Sequence, residues 1–329
     1  MTALKNKIDF ALVFTVRNAN PNGDPLDGNR PRTTYEGLGE ISDVCLKRKI
    51  RNRWIDAGYP VFVQSDDRRA PGDNYRSLRE RADNCPALKE CLAAIKAQKD
   101  AQKKKKEKAG VPTVSYEDYA RIACETWLDV RTFGQVFSFS KTAKKEGEDS
   151  EGSDAMSVGI RGPVTIQSAF TQKSVNIVST QITKSVNLET QANPDKPASD
   201  TMGMKHRVDY GVYTTYGSIN VQPAGKTGFS QEDAEKLKEA LITLFWNDAT
   251  SARPDGSMEV VKLVWWAHNC PNGQYSAARV HRSLRVSDTD DPNVLPTVSV
   301  DKTAIPDLDC ELLDESMVGP DGKLIDHEQ

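Results

Sequence analysis

Lys47, Arg48, Lys49, Arg51 and Arg53 fall within seven residues of one another, in the stretch ISDVCLKRKIRNRWIDAG at 41–58. Leu46, Ile50 and Trp54 repeat every fourth position, the spacing of an apolar helix stripe. The stretch therefore predicts a helix about 25 Å long, at 1.5 Å per residue. Lys47, Arg48 and Arg51 lie on the side away from that stripe, and Lys49 and Arg53 extend the charge. Such a face can neutralise several phosphates of a strand lying across it. It can equally be a solvated basic face. Arg30 and Arg32, in the loop just before, favour the polyanion, because a chain on the helix would touch them as well.

That loop, NANPNGDPLDGNRPR at 18–32, offers Asn18, Asn20, Asn22, Gly23 and Gly28. Glycine admits close backbone approach, and exposed N–H groups hold phosphate oxygens. Asp24 and Asp27 raise a different chemistry: a metal-dependent ribonuclease whose carboxylate positions water. No histidine, lysine or paired carboxylate accompanies them at readable spacing, so turn-forming aspartates are the simpler reading. In RTFGQVF at 131–137, Arg131 and Phe133 precede Gly134. The three are candidates for phosphate contact and stacking, or for a strand with a glycine bulge. The nucleophile elbow, the phosphate-binding P-loop, GxGxxG and HExxH motifs are all missing from the chain.

Around these residues the hydrophobic pattern sets the elements. Ile8, Phe10, Leu12, Phe14 and Val16 alternate, predicting a half-buried strand over 8–17. Strands are predicted at 60–64, 129–140, 162–183, 207–221 and 258–268, the last apolar on both faces. A second helix is predicted over 231–249, with Ser230 and Asp233 as a capping box. Residues 65–128, charged and carrying KAQKDAQKKKKEKAG at 96–110, read as an insertion. Residues 187–206, with two prolines and small polar residues, read as an excursion between paired strands, a projecting finger or an ordinary surface loop. Without the insertions the order is β-α-β-β-α-β, a ferredoxin-like α+β arrangement. RNA-recognition domains share it with many enzymes, so the fold names no function.

The chain has 329 residues and a formal charge of −3, unevenly distributed. Residues 287–329 hold twelve acidic residues and two lysines, while residues 1–286 hold 42 basic against 35 acidic. A basic body with an acidic tail is compatible with a polyanion partner. No segment approaches the roughly 20 apolar residues of a membrane span, and the N-terminus lacks a signal-peptide pattern, which points to the cytoplasm. The six cysteines form no CxxC pair, and nothing near His268 and Cys270 completes a ligand set, so free thiols, no metal and no cofactor are expected.

Taken together, NPNGDP (20–25), GEISDVCLKRKIRNR (39–53), DVRTFGQVF (129–137), GPV (162–164) and HRVDYGVYTTYG (206–217) resemble, in order, the backbone subunit of the type I-C CRISPR Cascade complex. That is the CRISPR-associated "Cas-seven" family, Csd-two branch. The resemblance implies a modified ferredoxin-like, RRM-like palm (residues 1–64 and 129–286). It also implies a helical, Lys-rich fingers insertion (65–128), a thumb loop (187–206) and the acidic C-terminal segment (287–329). It implies a non-catalytic protein whose copies stack head to tail along a CRISPR RNA and grip its backbone. Sequence recognition is left to pairing of the guide with target DNA. Its other partners would be the five-prime-end-capping, large and small Cascade subunits. Asn20, Asn22, Arg30, Arg32, Lys47, Arg48, Arg51 and Arg53 are expected on the guide, with Arg131, Phe133 and Gly134 nearby. Met202, Met204, Lys205 and His206 are expected at the thumb, where a Met could wedge between bases. Lys103, Lys104, Lys105 and Lys106 are expected to face target DNA.

Overall fold

The computed structural model describes residues 2–69, 72–103, 114–139, 156–183, 202–287 and 291–325. β1 (Ile8–Ala19) leads into a loop holding two short strands, β2 (Gly23–Asp24) and β3 (Arg30–Pro31), then β4 (Leu38–Ile41) and α1 (Asp43–Asp56). Four helices follow: α2 (Leu78–Asp83), α3 (Pro86–Lys103), α4 (Tyr116–Thr126) and α5 (Leu128–Phe133). β5 (Gly134–Phe139) pairs with β6 (Met156–Arg161), and β7 (Val164–Ile166), β8 (Ala169–Ser174), β9 (Ile177–Thr183) and β10 (Met202–Ile219) come next. The chain continues with α6 (Val221–Thr227), α7 (Gln231–Ile242), β11 (Met258–Ala267), α8 (Ala277–His281), β12 (Leu284–Ser287), β13 (Thr297–Val300) and β14 (Asp309–Leu313).

The main sheet is antiparallel and runs β14-β11-β1-β10-β8-β4, with β7 and β9 also pairing with β10. Ile8, Phe10, Leu12, Phe14 and Val16 enter one core with α1 and α7, as their alternation requires. Phe10 stacks on Trp265 and Phe14 on Tyr213, ring centroids 5.7 and 5.6 Å apart. The Phe10 ring fills the space a side chain would need at Gly217, where a Cβ would meet ring carbon Cζ at 2.1 Å. β1 departs from the half-buried expectation, because Asp9, Ala11, Val13 and Thr15 are buried too. A second layer, including Val280 of α8, Leu284 of β12, Ile305 and Leu308, covers that face.

Asp9 lies within this back layer, fully buried. It accepts hydrogen bonds from Lys7, Ser218 and His268 Nε2, the last at 2.9 Å. The Gln274 backbone N–H donates to His268 Nδ1 at 2.9 Å, so the His268 proton sits on Nε2. His281 Nε2 lies 3.9 Å from Asp9 Oδ1, and among the described residues it has no hydrogen-bond partner.

Several expectations change. Residues 60–64 have no regular structure. Asp129–Phe133, expected as a strand, lie in helix α5, and Gly134–Phe139 form a strand, with residue 140 outside the described residues. α7 ends at Ile242 rather than 249, although its capping box is present as expected. A separate core joins Phe62, Leu88, Tyr119, Trp127, Val130, Phe137 and Val158, so the helical insertion shares its interior with the β5–β6 hairpin beyond residue 128. The acidic segment is built in: β14 extends the sheet, and Glu311 and Asp314 pair with Lys238 and Lys262. Among the described residues no helix is long and apolar enough to cross a membrane.

Candidate nucleic-acid interface

The loop after β1 folds as two successive hairpins. β2 pairs with β3 around a turn at Pro25–Asp27, and Thr33 bridges to Gly39 around a second turn. The expected ligand-binding asparagines work inside it. Asn20 is buried and its amide donates to the Asn29 carbonyl at 2.6 Å. Asn22 Oδ1 accepts from both the backbone N–H and the hydroxyl of Ser42 at 3.0 Å. Ser42 is the N-cap of α1, so Asn22 ties the loop to the basic helix. Asp24 accepts from the Leu26 N–H at 3.0 Å and pairs with Arg32 at 3.3 Å, while exposed Asp27 faces Arg30 at 3.7 Å. Among the described residues no three His, Cys, Asp or Glu side chains gather where they could hold a metal ion. The ribonuclease reading is not favoured, because Asp24 already holds a turn and an arginine.

Helix α1 does not present five free cations. Each has a carboxylate: Lys47 with Asp43, Arg48 with Asp67, Lys49 with Asp248, Arg51 with Asp129 and Arg53 with Asp56. The pairs differ in kind. Lys49 and Arg53 are buried and Arg51 is nearly so; burial pulls the Lys49 ammonium below its ordinary pKa against the raising effect of Asp248. Arg51 Nε donates to Asp129 at 2.8 Å, and Asp129 in turn accepts from the N–H groups of Phe62 and Val63. Arg51 and Arg53, expected on the guide, are engaged within the protein: Arg51 ties α5 to α1, and Arg53 Nε donates to the Thr243 hydroxyl at the end of α7. Arg48 is the opposite case. Its side chain is 57% exposed and its partner Asp67 is 68% exposed. An exposed pair of this sort contributes about 0–1 kcal/mol, so a phosphate can replace Asp67 at small cost. Lys47, partly exposed, has its carboxylate partner on the neighbouring turn of its own helix.

Arg131, also expected near the guide, is engaged inside the protein. It is buried, forks onto both oxygens of Asp233 at 2.8 and 2.9 Å, and donates to the Cys124 carbonyl at 3.2 Å. Burial alone would raise the Asp233 carboxyl, yet Arg131 and Lys236 hold it below the usual carboxylate range. Phe133 is half-buried, stacked on Trp54 at 5.5 Å, with the Arg51 guanidinium 5.2 Å and the Lys47 ammonium 6.0 Å from its ring. It is a packing ring between α1 and α5, not an open stacking platform. Gly134 has φ +81°, and a Cβ there would meet the Ile160 carbonyl at 2.2 Å. Its role is the turn out of α5.

The sequence did not reveal the cleft these elements enclose. It has a volume of about 470 Å³ and is lined by Asn22, Gly23, Arg48, Asp67, Arg68 and Arg253, with Lys49 and Asp248 at its wall. Arg68 pairs with Asp56 at 3.0 Å and Arg253 with Asp248 at 3.1 Å. The signal was hidden because its three arginines lie up to 205 positions apart.

Met202, Met204, Lys205 and His206 stand on β10, paired with β9, rather than in a loop. Both strands of this arm are largely exposed, and Met202 and Met204 show 66% and 54% of their surface to solvent. His206 Nδ1 lies 2.8 Å from the Ser179 hydroxyl. Residues 187–201 and Lys104, Lys105 and Lys106 lie outside the described residues, and Lys103 closes α3.

A curated relative, the CRISPR-associated protein Cas7 of Haloferax volcanii, is 26% identical over 258 residues, spanning 76% of this chain and 67% of the relative. One chain of a solved CRISPR RNA-guided surveillance complex in its pre-nicking state aligns at TM-score 0.43 and 15% identity, over 79% of this chain and 78% of that one. A second surveillance-complex chain gives TM-score 0.37 and 14% identity, over 79% and 68%. The family model for CRISPR-associated protein Cas7 matches residues 6–305, from the start of the central strand to the segment that backs the sheet. The chain belongs to the Cas7 family.

Proposed function

We propose that this protein is a CRISPR RNA-binding backbone subunit of a Cascade surveillance complex, of the type I-C branch. The family match over residues 6–305 carries the reading. In it, copies stack along the guide spacer and hold its backbone, the guide pairs with target DNA, and the capping, large and small subunits complete the particle in the cytoplasm. The role is non-catalytic. The strand order β11-β1-β10-β8, with α1 and α7 as the crossovers, is the pattern of a β-α-β-β-α-β ferredoxin-like palm, and supports an RRM-like palm. α2–α4 would be the fingers and the β9–β10 arm the base of the thumb.

Within that reading, Arg30, Arg32, Lys47 and Arg48 meet guide phosphates, joined by Arg68 and Arg253 from the cleft. Asn20, Asn22, Arg51, Arg53, Arg131, Phe133 and Gly134 hold the surface in shape. Met202 and Met204 press on bases while Lys205 and His206 face the backbone. The test is RNA loading by Arg48→Ala and Arg253→Ala on several guides of unrelated sequence. Loading falls by a similar factor on every guide, since phosphate contacts carry no sequence information. Loss confined to particular sequences would refute the backbone grip.

A further inference from the structure

We propose that the cleft beside the uncovered half of β11 takes an extended lysine-rich segment, residues 104–108 of a second copy of this chain, as an added strand. β14 pairs with β11 only from Leu263 to Ala267. Met258–Val260 and Lys262 have β1 on one side and, among the described residues, no strand on the other. An open strand edge is a template for another chain. β13, which among the described residues pairs only with β12, begins along the opposite wall. The cleft between them has a volume of about 510 Å³, lined in part by Glu259, Lys262, Leu295, Thr297, Asp314 and Glu315.

Charge selects the occupant. Lys262 is taken by Asp314. Glu259 is exposed and has no ion pair among the described residues; Glu315 accepts from Trp246 Nε1 at 3.2 Å but also has no cation. Burial raises the Glu315 carboxyl, and Glu259 and Asp314 raise it further, a tension a docked ammonium would relieve. Leu295 is 53% exposed at the mouth, where it can cover a lysine stem. KKKKEK at 103–108 is the densest run of cations in the chain. Five residues of strand span about 17 Å, the length of the open edge from 258 to 262. The helical insertion packs through α4 against β6, and α5, which follows it, packs against β7, which lies across β10 and β1 from β11, so the segment arrives from another copy. This contact needs no RNA and goes beyond the guide-binding reading.

The test mixes isotopically heavy and light full-length chains and joins adjacent carboxylates and lysines with a carbodiimide. Heavy-to-light links between Lys104–Lys106 and Glu259 or Glu315 are expected. Glu259→Lys with Leu295→Lys cuts those links at least tenfold, while thermal unfolding and RNA loading stay as in the parent. Glu259→Lys with Glu315→Lys, mixed with a chain carrying glutamate at 104–106, restores association. Links within one chain only, links undiminished in the variant, or lysines that bind duplex DNA without any heavy-to-light link would overturn the proposal. RNA loading is read separately, so its loss would count against guide binding and not against this contact.

Discussion

Replacing Arg131 with alanine separates a support from a ligand contact. Arg131 holds both oxygens of Asp233, which is buried and is also the third residue of the α7 capping box. Truncation leaves Asp233 with Lys236 and the Ser230 backbone N–H, and removes the link between α5 and α7. Breaking one side of a buried pair costs about 3–5 kcal/mol. At about 2.1 cal/mol/K per residue, that lowers Tm by roughly 4–7 °C for a chain of this size. Arg131→Lys recovers only part of the loss, because an ammonium cannot fork. Asp233 sits below its usual pKa, so its contribution is present above about pH 4 and is lost as pH falls through the depressed folded value. The acid limb of the wild-type stability curve is therefore steeper than that of Arg131→Ala. The assay is thermal and urea unfolding beside RNA loading per folded molecule. An unchanged Tm with a large loss of RNA affinity would refute the assignment and restore Arg131 to the guide surface.

Gly134→Ala forces φ +81° on a residue with a Cβ and drives that carbon into the Ile160 carbonyl, so soluble yield or Tm falls by the equivalent of about 3 kcal/mol or more. Burial holds His281 below the ordinary histidine pKa against the pull of Asp9. The folded state therefore loses stability as pH drops below about 6.5, by at most about 1.4 kcal/mol per pH unit from this group. His281→Phe flattens that slope in urea titrations at pH 7.5 and 5.5, and an identical slope would contradict it. Met202→Ser with Met204→Ser leaves the melting curve in place, since both side chains are exposed, but weakens the periodic nuclease protection of bound RNA. Unchanged protection would remove the arm from the guide site.

The elements most legible from sequence were those whose local pattern agrees with their packing. β1 alternates because its larger side chains share one core, and the Ser230–Asp233 capping box shows directly in four residues. The basic helix was legible as a helix but not as a charge surface. Three of its five neutralising partners, Asp67, Asp129 and Asp248, lie 19, 78 and 199 positions away and come together only in the fold. The same distance effect hid the cleft arginines. Asp129–Phe133 carried strand-favouring residues, yet fold as a helix that brings Arg131 to Asp233 and Asp129 to Arg51; tertiary pairing overrides propensity there. The back layer was hard to see because part of its cover comes from the acidic segment, whose composition reads as solvated while Ile305 and Leu308 are buried.

In the proposed function many copies hold one RNA through its backbone. The most direct measurement is the mass and nucleic-acid content of the particle purified after co-expression with a guide transcript and the companion subunits. An RNA-bearing assembly with several copies of this chain per guide is expected, unchanged when the spacer sequence is scrambled. A lone RNA-free chain, or an assembly that forms with one spacer and not with its scramble, would contradict it.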